Sequence, residues 1–204
     1  MAGNTENRFE ARFPFDCAGN AVNKLKVALE LNAWPRFDCV PAPRFTLRAM
    51  AQHPTNCEIC ARIEGIKNSA HPGFICELPT GFFVLGDSQQ WRGYALLLCK
   101  TPVADLEELP WPARLEFLRD LALCSEAVAN VIHPHKMNVE SLGNAVPHLH
   151  FHLFPRYLTE EEPTKPVWLQ TNPTEETALD SQRDSELLSQ LRSEIERLLQ
   201  ARLT

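Results

Sequence analysis

The chain has 204 residues, of which 44% are hydrophobic and 23% are charged, with a formal net charge of −6. This length suits one domain with flanking segments, and no apolar run reaches the roughly 18 residues of a membrane span. The negative charge argues against nucleic acid as a partner, and the odd number of cysteines, seven, is typical of a reducing compartment, so we expect a cytoplasmic protein.

Residues 1–56 are predicted to form an extension in front of the main domain. Within it, 21–32 has the spacing of a short amphipathic helix, which Trp34-Pro35 would close. The stretch 37–54 carries prolines and several arginines and is predicted to be an extended connector. Nothing in these residues assigns the extension a function.

Two cysteines at the start of the next segment, Cys57 and Cys60, form a CxxC pair. Such a pair binds zinc through its thiolates or forms a redox couple. A pair of thiols without a function is the third interpretation, and the spacing alone does not choose among them.

The region that follows alternates strands with one long helix. Three strands are predicted at 74–77, 81–86 and 93–99, then a helix at 112–132 and two more strands at 136–142 and 148–154. The helix begins at a proline and has one apolar stripe: Leu115, Leu118, Leu121, Ala122, Ser125, Val128 and Ile132. Neighbouring strands, one helix and two further strands indicate an α+β fold and not a doubly wound parallel sheet.

Histidines alternate with large apolar residues in the last predicted strand. Because successive side chains of a strand point to opposite faces, three imidazoles are expected on one face: those of His148, His150 and His152. Rings that titrate near neutral pH can divide nucleophile, proton-donor and hydrogen-bonding roles at a phosphorus atom. Metal binding by the whole row is the alternative, and it needs a bent strand or a ligand from elsewhere.

The run from Pro147 to Arg156 resembles the signature of the histidine triad (HIT) family, His-φ-His-φ-His-φ-φ, in which φ is apolar. The resemblance implies an antiparallel five-stranded sheet with a packed central helix. It also implies a nucleotide hydrolase or nucleotidyltransferase that acts at the α-phosphate of a dinucleoside polyphosphate, a nucleoside phosphoramidate or a related compound. His150 would form a covalent nucleotidyl-histidine, while His148 and His152 would support the phosphate and the leaving group.

Substrate-binding residues follow from the same resemblance. In the family, the residue that ends the strand predicted here at 81–86 binds the ribose hydroxyls, which implies this role for Asp87. Asn138 and Asn144 match amide positions that hold substrate near the triad. An ordinary turn explains Asp87 and Asn144 as the alternative. Tyr94 is a departure, because several relatives carry a histidine there that supports the nucleophile, and a phenol is not a base at neutral pH.

A structural zinc ion is a further implication of the resemblance. Some relatives bind zinc through a CxxC pair, the first triad histidine and a later histidine that is absent here. Cys57, Cys60 and His148 match three of these ligands, and the spacing does not decide whether His53 or His71 supplies a fourth. The chemistry itself requires no cofactor, although a divalent ion bound to a polyphosphate substrate could assist.

The HIT-like domain is predicted over 57–168, with a linker and helix over 169–204. Trp168 is a candidate for substrate contact or for simple burial. Asp180 or Ser181 is predicted to cap the last helix, whose apolar residues recur at a three-four spacing: Leu188, Leu191, Ile195 and Leu198. We expect this helix to dock on its own core or on a partner.

Two other functions stay open at this point. One is a nucleotide sensor that binds its ligand without turnover. The tyrosine at position 94, where several relatives carry a histidine, supports this alternative. The other is a zinc-binding structural or regulatory protein that uses Cys57, Cys60 and His148. A small nucleotide is the expected partner of the enzyme and of the sensor, and relatives commonly join the sheets of two subunits, which allows a homodimer.

Overall fold

The computed structural model describes residues 54–69, 71–170 and 177–202. Its helices are α1 (Glu58–Lys67), α2 (Trp111–Ile132) and α3 (Ser185–Ala201). Its strands are β1 (Phe74–Glu77), β2 (Gly81–Leu85), β3 (Ala95–Cys99), β4 (Lys136–Glu140) and β5 (His150–Arg156). All pairings are antiparallel, in the order β1-β2-β3-β5-β4. The predicted α+β fold, with five antiparallel strands and a packed central helix, is therefore confirmed.

Some predictions fall outside these ranges. The helix predicted over 21–32 and the connector predicted over 37–54, except its last residue, lie outside the described residues. The division into 1–56, 57–168 and 169–204 stays a prediction. Among the described residues, no helix combines the length and the apolar character that crossing a membrane needs.

Both faces of the sheet are covered. On one face, α2 and α3 pack against a core cluster that includes Phe83, Leu97 and Leu153. On the other face, α1 packs against Phe82 and Leu98. Because neither face is open at the centre, β2 and β3 are buried along their whole length, and their sequences are continuous apolar runs.

The helix α1 was not predicted. Its buried residues, Ile59, Ile63 and Ile66, recur at the four-three spacing of one helical face, and this signal was present in the sequence. The thiol of Cys57 caps the helix by accepting a hydrogen bond from the Cys60 N–H at 3.4 Å. The CxxC pair therefore lies at the first turn of a helix that covers the sheet.

The predicted stripe of α2 is confirmed at Leu121 and Val128 but wrong in its first turns. Leu115 and Leu118 are 43% and 37% exposed, while Phe117 is completely buried. Packing of Phe117 beside Phe151, with ring centroids 5.9 Å apart, turns a different face of the helix to the sheet. The residues of that face are Phe117, Asp120, Leu121, Leu123, Cys124, Ala127 and Val128.

The last strand lies two residues later than the predicted 148–154. Leu149 precedes β5, and its N–H donates to the carbonyl of Val103 at 2.7 Å in the loop after β3. At the other end, β5 continues through Pro155 opposite Met137 of β4, and the proline lies beyond the pairing with β3, whose first residue, Ala95, is opposite Leu153. The alternation itself is as predicted, since Leu149, Phe151 and Leu153 belong to the α2-side core.

The C-terminal helix, α3, packs on the core of its own chain, which is one of the two predicted alternatives. Its predicted apolar residues are all buried: Leu188, Leu191, Ile195 and Leu198. The predicted cap was wrong, because the residue before the helix is Asp184, four residues after Asp180. Asp180 instead closes a preceding turn, where its Oδ1 accepts from the N–H groups of Gln182 and Arg183.

Candidate active site

A cavity of about 410 Å³ lies between α1 and the β3–β5 part of the sheet. Its size is typical of sites for small molecules. Leu98 and Leu96 of β3 lie directly opposite His150 and His152 in the ladder, which puts both imidazoles on the cavity side. Other lining residues come from α1 (Glu58, Ile59, Arg62), from the segment after β2 (Asp87, Ser88, Trp91, Tyr94) and from beyond β5 (Val167, Trp168, Gln170).

His150 is oriented by the backbone of His148. Its Nδ1 lies 2.5 Å from the His148 carbonyl oxygen. A carbonyl oxygen only accepts hydrogen bonds, so we assign the ring proton of neutral His150 to Nδ1. The lone pair of His150 is then on Nε2, the atom that lies 3.0 Å from Nε2 of His152.

This assignment determines the hydrogen bonds of His152. Because Nε2 of His150 accepts, Nε2 of His152 must donate and its Nδ1 must accept. The Tyr94 hydroxyl lies 2.7 Å from that Nδ1 and is the donor. Tyr94 therefore contacts His152 directly and not the predicted nucleophile His150.

The ionisation of these groups follows from their burial. Burial lowers the pKa of His150, although the hydrogen bond to the His148 carbonyl acts in the opposite direction. Burial, and then the neighbouring His150 ring, lower the pKa of His152 to about 4. Burial raises the pKa of Tyr94 far above its ordinary value. At neutral pH both imidazoles are therefore uncharged and the phenol keeps its proton.

The side chain of His148 does not line the cavity. It is 1% exposed and lies against the CxxC pair, with Nδ1 at 3.4 Å from the Cys57 sulfur and 3.5 Å from the Cys60 sulfur. Its Nε2 lies 2.9 Å from the carbonyl of Cys99 and must donate to it, which leaves the Nδ1 lone pair facing the two sulfurs. The structure therefore brings His150 and His152 together at the cavity and places the His148 ring beside it.

The chemistry of this cluster fits a zinc ion. The ligand atoms of Cys57, Cys60 and His148 lie within 4.8 Å of one another. Zinc prefers thiolate and imidazole ligands, and a ligating histidine usually donates its other N–H to a carbonyl, as His148 does to Cys99. Without an ion, burial and then the Cys57 thiol raise the pKa of Cys60. A closed tetrahedral site needs a fourth ligand, which the described residues do not provide within that distance.

The two histidines considered for the fourth ligand do not complete the set. His71 is not part of the cluster, and its Nδ1 accepts from the Gly73 N–H at 3.2 Å. His53 lies outside the described residues.

Asp87 lines the cavity, as expected of a substrate-binding residue, but its carboxylate has a protein partner. Arg62 of α1 donates from Nη1 to Oδ1 at 2.6 Å and from Nη2 to Oδ2 at 2.5 Å. The hydrogen bonds from Arg62 lower the pKa of Asp87, so this carboxyl group is ionised at neutral pH. Arg62 was missed by the sequence reasoning, because α1 itself was missed.

The two asparagines are not among the described residues that line the cavity. Asn138 is on β4, and its Oδ1 accepts from Nη1 of the buried Arg156 at 3.1 Å. Asn144 is exposed in the loop between β4 and β5. Trp168, by contrast, lines the cavity with its ring edge-on to His152 at 5.1 Å, and its indole N–H donates to Glu140.

Comparison with known proteins agrees with this architecture. Residues 71–159 match the family model described as the HIT domain. The chain carries a HIT domain. The match supports a relationship with nucleotide-binding proteins of the hydrolase type. No curated protein is significantly similar to the chain in sequence.

Solved structures share the fold of this HIT domain. A histidine triad protein from Bradyrhizobium japonicum is 24% identical with a TM-score of 0.54, and the match covers 60% of this chain and 89% of that one. One from Marinobacter aquaeolei is 25% identical with a TM-score of 0.55, over 61% and 89% of the two chains. A zinc-bound histidine triad protein from Mycobacterium smegmatis is 22% identical with a TM-score of 0.51, over 72% and 97%.

Proposed function

We propose that the protein is a nucleotide hydrolase or nucleotidyltransferase that acts at the α-phosphate of a nucleoside phosphate derivative, with His150 as the nucleophile. The observation that carries the proposal is the hydrogen bond from Nδ1 of His150 to the His148 carbonyl. It directs the lone pair of Nε2 to the cavity side, and burial keeps that nitrogen unprotonated at neutral pH. An uncharged imidazole with an aimed lone pair is a competent nucleophile.

In the first step, the Nε2 lone pair of His150 forms a bond to phosphorus, and the bond from phosphorus to the leaving group breaks. The electron pair of the broken bond departs with the leaving atom. His150 becomes cationic, and the His148 carbonyl stabilises that charge through the Nδ1 proton. His152 no longer donates to the nitrogen that has reacted, so its Nε2–H is available to a phosphoryl oxygen, where negative charge develops.

In the second step, water or another acceptor attacks phosphorus and the phosphorus–nitrogen bond breaks. The electron pair returns to Nε2 of His150, and the proton of the attacking water passes to solvent or to the departed group. Tyr94 holds His152 in the donating tautomer in both steps. With a polyphosphate substrate, a divalent ion would arrive bound to the phosphates.

The rest of the cavity suits a nucleoside. Asp87 would accept hydrogen bonds from the two ribose hydroxyls with lone pairs that Arg62 does not use. Trp168 lies at the wall beside His152 and offers an apolar edge to the substrate. Asn138 and Asn144 remain proposed substrate contacts, and from their positions they would need to act through a loop movement or through Arg156.

Cys57, Cys60 and His148 would hold a structural zinc ion, as a HIT protein from Mycobacterium smegmatis is described as zinc-bound. When bound, the ion would tie the N-terminus of α1 to His148, two residues before β5. None of the chemical steps above uses it. A purely structural zinc protein is the weaker alternative, because it gives no reason for the hydrogen bonds that link His150, His152 and Tyr94.

A nucleotide sensor is the second candidate function, and one observation favours it. The Nε2 lone pair of His150 is already occupied by the N–H of His152 at 3.0 Å, so attack requires this contact to open. A protein in which the contact persists with ligand bound would bind nucleotides without turnover. A homodimer formed by joining two sheets remains a further proposal for either function.

Trapping the intermediate tests the proposal. The protein is mixed with dinucleoside polyphosphates, nucleoside phosphoramidates and nucleotide sugars, and quenched in alkaline denaturant, because phosphorus–nitrogen bonds of histidine are labile in acid. Mass spectrometry should find a nucleotidyl group on the peptide that contains His150. Turnover without this adduct would reject His150 as the nucleophile. Tight nucleotide binding with neither turnover nor adduct would establish the sensor instead.

A further inference from the structure

The wall that α1 contributes to the cavity has an unusual pair of polar groups. Glu58 and Arg62 are four residues apart and lie on the same face of the helix, and Ile59 beside them adds an apolar side chain to the lining. Arg62 is the one arginine or lysine among the described residues that line the cavity. The wall thus combines an apolar side chain, a carboxylate and a guanidinium.

The guanidinium is held in place by Asp87. The two hydrogen bonds to the carboxylate use Nη1 and Nη2 of Arg62. Guanidinium groups have five N–H donors, so the edge formed by Nε–H and the second N–H of Nη2 can serve another ligand as a second fork. Since Asp87 is the proposed ribose ligand, this second fork lies at the nucleoside end of the cavity.

The nucleobases differ in whether they fit these two groups. Guanine has two adjacent acceptors, O6 and N7, which match an arginine fork, and two adjacent donors, N1–H and the 2-amino group, which match a carboxylate. Adenine has a donor, its 6-amino group, between two single acceptors, and it would turn that donor toward the guanidinium. Uracil and cytosine have no edge that combines two adjacent donors with two adjacent acceptors.

We propose that Glu58 and Arg62 read the base of the nucleotide and select guanine. This inference rests on the proposed function, because it takes the cavity to be a nucleotide site. The base lies against Ile59, Arg62 donates to O6 and N7, and Glu58 accepts from N1–H and the 2-amino group. Asp87 then has two functions, since it binds the ribose and also orients the guanidinium that reads the base.

Binding of the monophosphates GMP, IMP and AMP to the full chain, measured by calorimetry, tests this selection. A bidentate contact discriminates by about 1–3 kcal/mol, which corresponds to roughly 5- to 150-fold, so GMP should bind at least about fivefold more tightly than AMP. IMP lacks the 2-amino group and should fall between them. Equal affinity for GMP and AMP would overturn the selection of guanine.

Variants assign the contacts. Arg62→Met and Glu58→Gln should each weaken GMP about tenfold and change AMP less than twofold, and Glu58→Gln should abolish the difference between GMP and IMP. Glu64→Gln on the same helix and Arg119→Met on α2, both away from the cavity, are matched controls and should change nothing. If Arg62→Met weakens all three nucleotides equally, Arg62 serves only to hold Asp87, and the proposal is wrong.

Failure of the proposed function would look different. In that case none of the three nucleotides binds, and no adduct forms on His150 from any donor. Adduct formation at equal rates from guanosine and adenosine donors would keep the proposed function and reject the selection of guanine. A preference for guanosine donors that Arg62→Met removes would support both.

Discussion

His148 orients His150 with its backbone and reaches the CxxC pair with its side chain. The carbonyl oxygen of His148 accepts from Nδ1 of His150 at 2.5 Å, while its ring nitrogen lies 3.4 Å from the sulfur of Cys57. One residue therefore connects the candidate zinc cluster to the candidate nucleophile. Any change that moves the His148 backbone should change the direction of the His150 lone pair.

His150→Asn should lower turnover by on the order of 10³-fold or more, because the amide cannot form the covalent intermediate. Steady-state kinetics and the thermal unfolding midpoint are measured together. The matched control is His133→Asn. His133 ends α2 with φ of 52°, a left-handed conformation that asparagine tolerates well, so this variant should keep full activity. A folded His150→Asn protein with normal turnover would contradict the mechanism.

Tyr94→Phe should lower kcat roughly five- to tenfold with little change in KM. The phenylalanine keeps the ring stacked on Phe154 at 4.1 Å but removes the donor that holds the tautomer of His152, a loss of about 1 kcal/mol. Tyr157→Phe is the control, because that hydroxyl donates to the Arg92 carbonyl outside the cavity. An unchanged kcat in Tyr94→Phe would show that the tautomer of His152 does not matter.

Asp87→Asn should remove the preference for ribonucleotides over 2′-deoxyribonucleotides. A carboxylate accepts from both hydroxyls, and losing a hydrogen bond to a charged group costs about 1.5–3 kcal/mol, so affinity for the ribonucleotide should fall roughly tenfold or more. Affinity for the deoxyribonucleotide should change much less. The exposed Asp105, outside the cavity lining, provides the control Asp105→Asn. A ratio of the two affinities that stays constant would remove Asp87 from the ribose site.

Cys57→Ser should release the metal. Protein purified without chelator is expected to contain about one zinc ion per chain, and replacing a ligand should weaken zinc at least ~100-fold in competition with a chromophoric chelator, since even changes behind the ligands cost 10–100-fold. The partly exposed Cys76, which is not in the cluster, provides the control Cys76→Ser. Wild-type protein that holds no zinc after growth with added zinc would contradict the assignment.

Glu160→Gln should lower the free energy of unfolding at neutral pH and make that free energy depend less on pH in the acid range. Burial opposes ionisation of Glu160, but hydrogen bonds from Arg156, from the Tyr157 N–H and from Trp91 outweigh it and lower the pKa to about 2. Because its pKa is depressed, ionised Glu160 stabilises the folded state at pH values above its ordinary pKa of 4.5. This stability is lost as the pH falls toward the pKa of the folded state, about 2. The contribution is roughly 1–3 kcal/mol.

Denaturant unfolding of wild type and Glu160→Gln between pH 7 and pH 2.5 measures this contribution. The difference between the two proteins should be largest at pH 7 and should shrink through the window from pH 4.5 downward. Glu161→Gln is the control, because that neighbour is exposed and, among the described residues, the ion pair of Arg156 is with Glu160. A difference that is independent of pH would mean that charge is not the cause.

Much of the fold was predictable because it depends on local patterns. Strand β1 has the predicted bounds, and β2 and α2 each differ by one residue at one end. The rotation of α2 about its axis was not predictable from spacing, because apolar residues recur on more than one side of this helix. The contact between Phe117 and Phe151 belongs to the side that faces the sheet. Helix α1 could also have been predicted, because the spacing of its three isoleucines is that of one helical face.

The sequence by itself determined that His150 and His152 would share one face of the last strand, because alternation along a strand is a property of the backbone alone. The prediction that His148 lies on that strand was wrong, because the strand begins at His150. Only the tertiary structure decided that His148 lies beside Cys57 and Cys60 while His150 and His152 border the cavity. The same holds for the pair of Arg62 and Asp87, which are 25 residues apart along the chain. Contacts between separate elements depend on how helices pack on the sheet, and spacing along the chain does not encode that packing locally.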